Sequence, residues 1–162
     1  MVSCMKPIYD KNSKIIILGS LPSEKSIENQ EYYNNPTNHF WKIISFVFEK
    51  RIIEFSNYED KIMFLKKHNI ALWDVISTAD RIGSLDKNIK NESYNDLYSF
   101  IIKNDIKKVF VNGSKAEKSL KKYMKLNNIN LEYKLLPSSS SANFRYTLKE
   151  KISIWTKNIL DD

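Results

Sequence analysis

Cysteine is almost absent: Cys4 is the only one in 162 residues, so no disulfide can form within the chain and no cysteine-based zinc site can be assembled from it. That usage fits a reducing, intracellular setting, and a cytoplasmic location is expected. Histidine is nearly as scarce. His39 and His68 stand isolated, with no His-Glu-x-x-His or similar ligand spacing, so no metal and no cofactor is expected. The three glycines, Gly19, Gly83 and Gly113, complete no Walker loop and no Gly-x-Gly-x-x-Gly fingerprint. Neither Leu18-Gly19-Ser20-Leu21-Pro22 nor Asn112-Gly113-Ser114 completes the Gly-x-Ser-x-Gly elbow of serine hydrolases. No apolar run approaches the ~20 residues of a bilayer-spanning helix. The first residues, MVSCMKPIYDKNSK, lack a signal-peptide core, and no membrane association is expected.

What the chain does have is globular composition: 42% hydrophobic residues with eight Phe, nine Tyr and three Trp, against 28% charged. One domain, residues 1–162, is the expectation, and a chain of this length buries roughly 70% of its unfolded surface. A monomer is assumed. The net charge of +7 is uneven, with 11 basic and 10 acidic side chains in residues 1–81 and 15 against 9 in residues 82–162. Within residues 103–134 nine Lys face only Asp105, Glu117 and Glu132. Such a stretch attracts a polyanion, or is simply a solvated lysine face.

The apolar pattern alternates strands with helices. Ile15-Ile16-Ile17-Leu18, ended by Gly19, reads as a buried strand, as do residues 70–73, 109–111 and 131–136. Residues 35–50 predict a helix with Asn35 as N-cap, Pro36 at its first position and Asn38 in its first turn. Further helices are expected over residues 59–68, 94–104, 114–125 and 148–160. The stretch from Asp74 to Lys90 reads as polar. This order predicts an α/β fold with a parallel sheet covered on both faces and a ligand site beyond the strands' carboxyl ends. The polar loops there are residues 19–24, 112–115 and 137–143.

Two segments carry chemistry. Residues 30–41 mix amides with Tyr32, Tyr33, Phe40 and Trp41; aromatic rings stack on a nucleobase and amides pair with its edge, although Phe40 and Trp41 equally suit helix packing. Ser138 to Ser141 offer small hydroxyls and free backbone amides for phosphates, although serine runs are also ordinary in loops. The residues alone reach an α/β domain that binds a nucleic acid or nucleotide.

Four segments in this order resemble the uracil-DNA glycosylase superfamily, and within it the hypoxanthine-DNA glycosylase branch. They are Leu18-Gly19-Ser20-Leu21-Pro22-Ser23 with Gln30, Tyr32 and Tyr33; Pro36-x-Asn38-x-Phe40-Trp41; Leu72-Trp73-Asp74-Val75-Ile76 with Arg81-x-Gly83-Ser84-Leu85-Asp86; and Leu136-Pro137-Ser138-x-Ser140-x-Ala142-Asn143. The resemblance implies a three-layer α/β/α sandwich with a four-stranded parallel sheet, acting on a damaged base flipped out of DNA. It also implies a monofunctional N-glycosyl hydrolase of base excision repair, most suited to hypoxanthine, whose abasic product passes to a downstream processing enzyme. The alternatives are a uracil or mismatch-specific uracil/thymine glycosylase, and a non-catalytic nucleic-acid-binding module of the same fold.

By the same resemblance Asn38 is the catalytic residue, since the first loop lacks the Asn or Asp that positions water elsewhere in the superfamily. Gly19, Ser20, Leu21, Pro22, Tyr33 and Phe40 would hold the base. Ser23, Ser138, Ser139, Ser140, Ser141, Ala142, Asn143 and Arg145 would contact DNA, with Ala142, Asn143 or Phe144 filling the gap left by the base. Arg81 and Asp86 fit a structural turn or salt bridge as well as a catalytic role. The chain departs from the branch at Asn35 and Thr37, where His and Arg are common, and at Ser141, where proline is.

Overall fold

Alternation along four short strands sets the architecture. The computed structural model describes residues 1–161; Asp162, the last residue of the expected domain, lies outside the described residues. The elements are β1 (Val2–Ser3), β2 (Ile15–Gly19), α1 (Glu24–Asn29), α2 (Phe40–Glu49), α3 (Tyr58–Lys67), β3 (Ile70–Asp74) and β4 (Ile76–Asp80). A 3-10 turn (Asp86–Asn88) precedes β5 (Lys90–Tyr94), α4 (Leu97–Lys103), β6 (Lys108–Asn112), α5 (Ser114–Asn127), β7 (Lys134–Leu136) and α6 (Leu148–Leu160).

Successive side chains of a strand point to opposite faces, and here both faces are apolar. Ile17, Leu72, Phe110 and Leu136 meet Phe40, Ile44 and Val47 of α2, Phe64 and Leu65 of α3, and Trp155 and Ile159 of α6. Ile16, Leu18, Ala71, Val109 and Val111 meet Leu97 and Ile101 of α4 and Ala116, Leu120 and Tyr123 of α5 on the other side. The result is the expected three-layer α/β/α sandwich.

The four strands pair in parallel in the order β3-β2-β6-β7. The chain enters at β2, moves outward to β3 and returns across β2 to β6. Loops after β2 and β6 therefore diverge at a topological switch, which opens a crevice beyond their carboxyl ends. The expected strand over residues 131–136 is shorter, because only Lys134 to Leu136 register with Phe110 to Asn112.

The polar stretch 74–90 contains β4 and leads into β5. β4 and β5 pair antiparallel, with β1 on the other edge of β4. Ile76, Ala79 and Ile89 bury a small apolar cluster with Leu21, so this second sheet seats the loop that follows β2. Its polar outer positions hide the strand signal. The helix expected from Asn35 begins instead at Phe40, and neither Asn35 as its cap nor Pro36 as its first residue holds. Asn35 Oδ1 accepts from Thr37 N at 3.1 Å and Asn38 Oδ1 from Phe40 N at 2.9 Å. These side-chain turns compete with the helix for the same N–H groups and win.

Candidate active site

At the crevice, the loops after β2, β3, β6 and β7 enclose a cavity of about 700 Å³. The structure brings to its wall Gly19, Ser20, Leu21, Pro22, Ser23, Tyr33, Asn38, Ser138, Ser139, Ser140, Ser141, Ala142, Asn143 and Arg145. Phe40, expected in the base pocket, is not on that wall: it is fully buried, with its ring stacked on Tyr33 at 4.0 Å and 14°. It backs the Tyr33 ring because α2 starts there and turns its apolar face to the sheet.

Gly19 ends β2 where a side chain cannot fit. A Cβ on it would lie 2.6 Å from Asp74 Oδ1 and 3.1 Å from Tyr33 Oη. Tyr33 itself takes a left-handed backbone (φ 52°), which swings its ring under the loop. Its hydroxyl accepts from Asn112 Nδ2 at 3.2 Å. Burial first, then the Asp74 charge, drives the phenol well above its ordinary range, so it stays neutral.

Asn112 ties this aromatic to the serine loop. Its Nδ2 also donates to Ser139 Oγ at 2.9 Å, and its Oδ1 accepts from Ser139 N at 2.9 Å. Trp155 Nε1 holds Pro137 O at 2.8 Å, and His39 N holds Ser139 O at 2.9 Å. The loop is thus fixed from three elements. Beyond it Phe144 projects with 91% of its surface exposed.

Asn38 is half-buried, and its amide orientation follows from its bonds. Oδ1 accepts from the Phe40 N–H, and Nδ2 makes no hydrogen bond among the described residues, which leaves an amide donor at the cavity wall.

Asp74 was missed by sequence reasoning as a site residue. It ends β3 on the cavity wall, is 4% exposed, and its Oδ2 has no partner among the described residues. Burial above all, then repulsion from Asp86, pushes its carboxyl up to about 7, against a weaker pull from Arg81. Asp86 borders the same cavity at its exposed rim, where partial desolvation raises its carboxyl against the pull of the Ser20 hydroxyl, which donates to it at 2.9 Å, and of Arg81. The signal available for Asp74 was its place as the acidic end of an apolar strand, within the Leu72-Trp73-Asp74-Val75-Ile76 segment.

Arg81 is structural. It donates to Pro22 O and Gly83 O, each at 2.7 Å, and so pins the first loop to the second sheet. The lysines of residues 103–134 do not line the cavity. Lys107 pairs with Asp105, Lys121 with Glu117, and Lys115 with Glu92. Among the described residues no three His, Cys, Asp or Glu side chains gather to hold a metal ion, and no helix is long and apolar enough to cross a membrane.

Comparison with known proteins agrees with this geometry. Residues 6–161 match the family profile described as the Uracil DNA glycosylase superfamily. A "Hypoxanthine DNA glycosylase" of Methanosarcina acetivorans is 38% identical over 151 residues, 91% of each chain, and one of Methanosarcina barkeri is 36% identical over 155 residues, 93% of each. The solution structure of an M. acetivorans protein provisionally assigned as a uracil DNA glycosylase superposes with a TM-score of 0.78 at 35% identity, covering 96% of this chain and 95% of that one.

Proposed function

The chain belongs to the uracil DNA glycosylase superfamily, and on that premise we propose that it is a monofunctional glycosylase that hydrolyses the N-glycosidic bond of deoxyinosine in DNA and releases hypoxanthine. One observation carries the choice of base: two relatives named for hypoxanthine match over nine-tenths of the chain. The cavity supports it. Its first loop, Gly19 to Pro22, offers no carboxylate or amide side chain to a water, and the Asn38 amide, whose Nδ2 makes no hydrogen bond among the described residues, takes that task.

Catalysis here leans on electrostatics. As the glycosidic bond breaks, its electron pair leaves with the base and positive charge develops on the sugar; water then adds to the sugar carbon, and its proton ends on the base. Asn38 Nδ2 donates to the departing base or holds the water, while the cavity carboxyls Asp74 and Asp86 face the developing positive charge. Tyr33, backed by Phe40, forms a flat wall for the extruded ring. Serine hydroxyls, loop amides and Arg145 take the flanking phosphates, and Phe144, the large apolar side chain among the expected wedges and 91% exposed, enters the duplex. The protein acts as a monomer inside the cell, without cofactor, and leaves an abasic site to a downstream enzyme.

A single-turnover assay on a duplex with a central deoxyinosine, followed by alkali, tests this for the parent and Asn38→Ala. The parent yields alkali-dependent cleavage and the variant about 10²- to 10³-fold less, the scale of one lost transition-state donor. Cleavage of uracil or mismatched duplexes with deoxyinosine untouched would move the assignment to another base of the same superfamily.

A further inference from the structure

Lys151 is a cation without a counter-ion. It sits at the fourth position of α6, is 0% exposed, and has no carboxylate within ion-pair distance among the described residues. The adjacent acid, Glu150, turns away to the Thr147 N–H in a capping box. The amino end of α6 adds positive potential of its own. An unpaired buried charge is among the costliest things a fold can carry.

The ammonium makes two contacts, both neutral. Nζ donates to Ser140 O at 3.1 Å and lies 3.5 Å from His39 Nδ1. His39 is shifted down by burial and then by Lys151 and Lys42, so it meets the ammonium as a neutral ring. Burial alone lowers Lys151 itself.

The Ser140 carbonyl matters for what lies behind it. The Ser140–Ser141 peptide is trans, and in a trans peptide the C=O and N–H point in opposite directions. With the carbonyl turned in to Lys151, the Ser141 N–H is turned out. It has no hydrogen-bond partner among the described residues, whereas the N–H groups of Ser139, Ser140, Ala142 and Asn143 all have one. Ser138 to Ser141 line the cavity on a stretch of wall that carries no carboxylate, with Asp74 and Asp86 on other stretches.

We propose that Lys151 is the buried counter-charge for one DNA phosphodiester seated on the serine loop, acting through the Ser140–Ser141 peptide. The ammonium polarises the carbonyl, and the Ser141 N–H of the same peptide donates to the phosphate oxygen. Lys151 touches neither DNA nor base and is a positioning residue. The proposal rests on the glycosylase reading only in taking DNA as the polyanion.

Lys151→Gln keeps a donor without the charge, and Lys151→Met removes both. Binding is measured by anisotropy on a duplex with a central 2′-fluorinated deoxyinosine, which resists cleavage, and on duplexes that also carry one uncharged methylphosphonate linkage. Thermal unfolding is followed in parallel. Both variants should bind about tenfold more weakly, the scale of one charge-assisted hydrogen bond. Their Tm should hold or rise, because the unpaired buried charge is gone. At one linkage the methylphosphonate should weaken the parent and leave the variants unchanged, the non-additivity of a coupled pair. Gln binding like the parent, affinity falling only with Tm, or losses that add at every linkage would reduce Lys151 to a brace and overturn the proposal. A parent that shows the coupling yet releases no hypoxanthine counts against the glycosylase reading and leaves this one standing.

Discussion

Thr37 Oγ1 and Ser141 Oγ, 104 residues apart in sequence, lie 3.0 Å from each other. Both are positions where the chain departs from the hypoxanthine branch it resembles, and the departures meet across the cavity mouth. Thr37 also donates from its hydroxyl to Asn35 Oδ1 at 2.9 Å, so the Asn38 turn and the serine loop share one chain of hydrogen bonds.

Thr37→Ala should therefore slow single-turnover excision by about tenfold, while unfolding free energy changes by no more than about 1 kcal/mol, since the bond is exposed. Ser141→Ala should do the same, and the double variant should be no slower than either single one. Additive rate losses would mean the two hydroxyls act separately.

Gly19→Ala tests the floor of the cavity. The glycine backbone is not left-handed, so the strain comes from the new methyl's nearest neighbours, Asp74 and Tyr33, whose positions form the pocket. Excision should fall by about 10²-fold, as misplacement of the reacting geometry on the ångström scale does. Duplex binding should stay within about threefold, because loop contacts with phosphates are untouched. Full activity would place the base elsewhere.

Asp74 links stability to pH with a definite sign. Its carboxyl ionises near 3.8 when unfolded and near 7 when folded, so between those values the folded form holds the extra proton. Stability falls as pH rises through that window, by roughly 4 kcal/mol in all, and the penalty is complete above it. Asp74→Asn stays neutral throughout. Urea unfolding should give a variant-minus-parent difference that grows from pH 5 to pH 8; an equal difference at both would show that Asp74 is ionised across the range.

Arg145 is exposed at the rim, its guanidinium 5.7 Å from the centre of the Tyr146 ring. Arg145→Ala should weaken duplex binding for damaged and undamaged DNA alike and reduce the slope of log affinity against log salt by about one. A loss confined to deoxyinosine duplexes would tie Arg145 to the lesion instead.

Much of this was legible before any coordinates. Ile15 to Gly19, Val109 to Val111 and the loops after them announced a parallel sheet with a site at its carboxyl ends, because buried strands need apolar residues on both faces. The four motif segments placed Asn38 and the serine loop together. What stayed hidden was whatever depended on a neighbour distant in sequence. β4 and β5 read as polar because Ile76 and Ala79 of β4 and Tyr94 of β5 are the strand residues that pack on the small cluster around Leu21, and Asn35 read as a helix cap because its short side chain serves a turn equally well.

The sequence by itself determined the layers, the order of the strands' loops and the family, since hydrophobic period and motif spacing are local and survive without a partner. Only the tertiary structure decided the state of individual groups. Asp74 is raised because β2, the Gly19 loop and Asp86 close around it; Phe40 backs Tyr33 instead of facing the cavity because α2 starts late; Lys151 is buried because α6 packs beneath the serine loop. Burial and the sign of the nearest charge fix such properties, and both are set by residues that the chain brings together only when it folds.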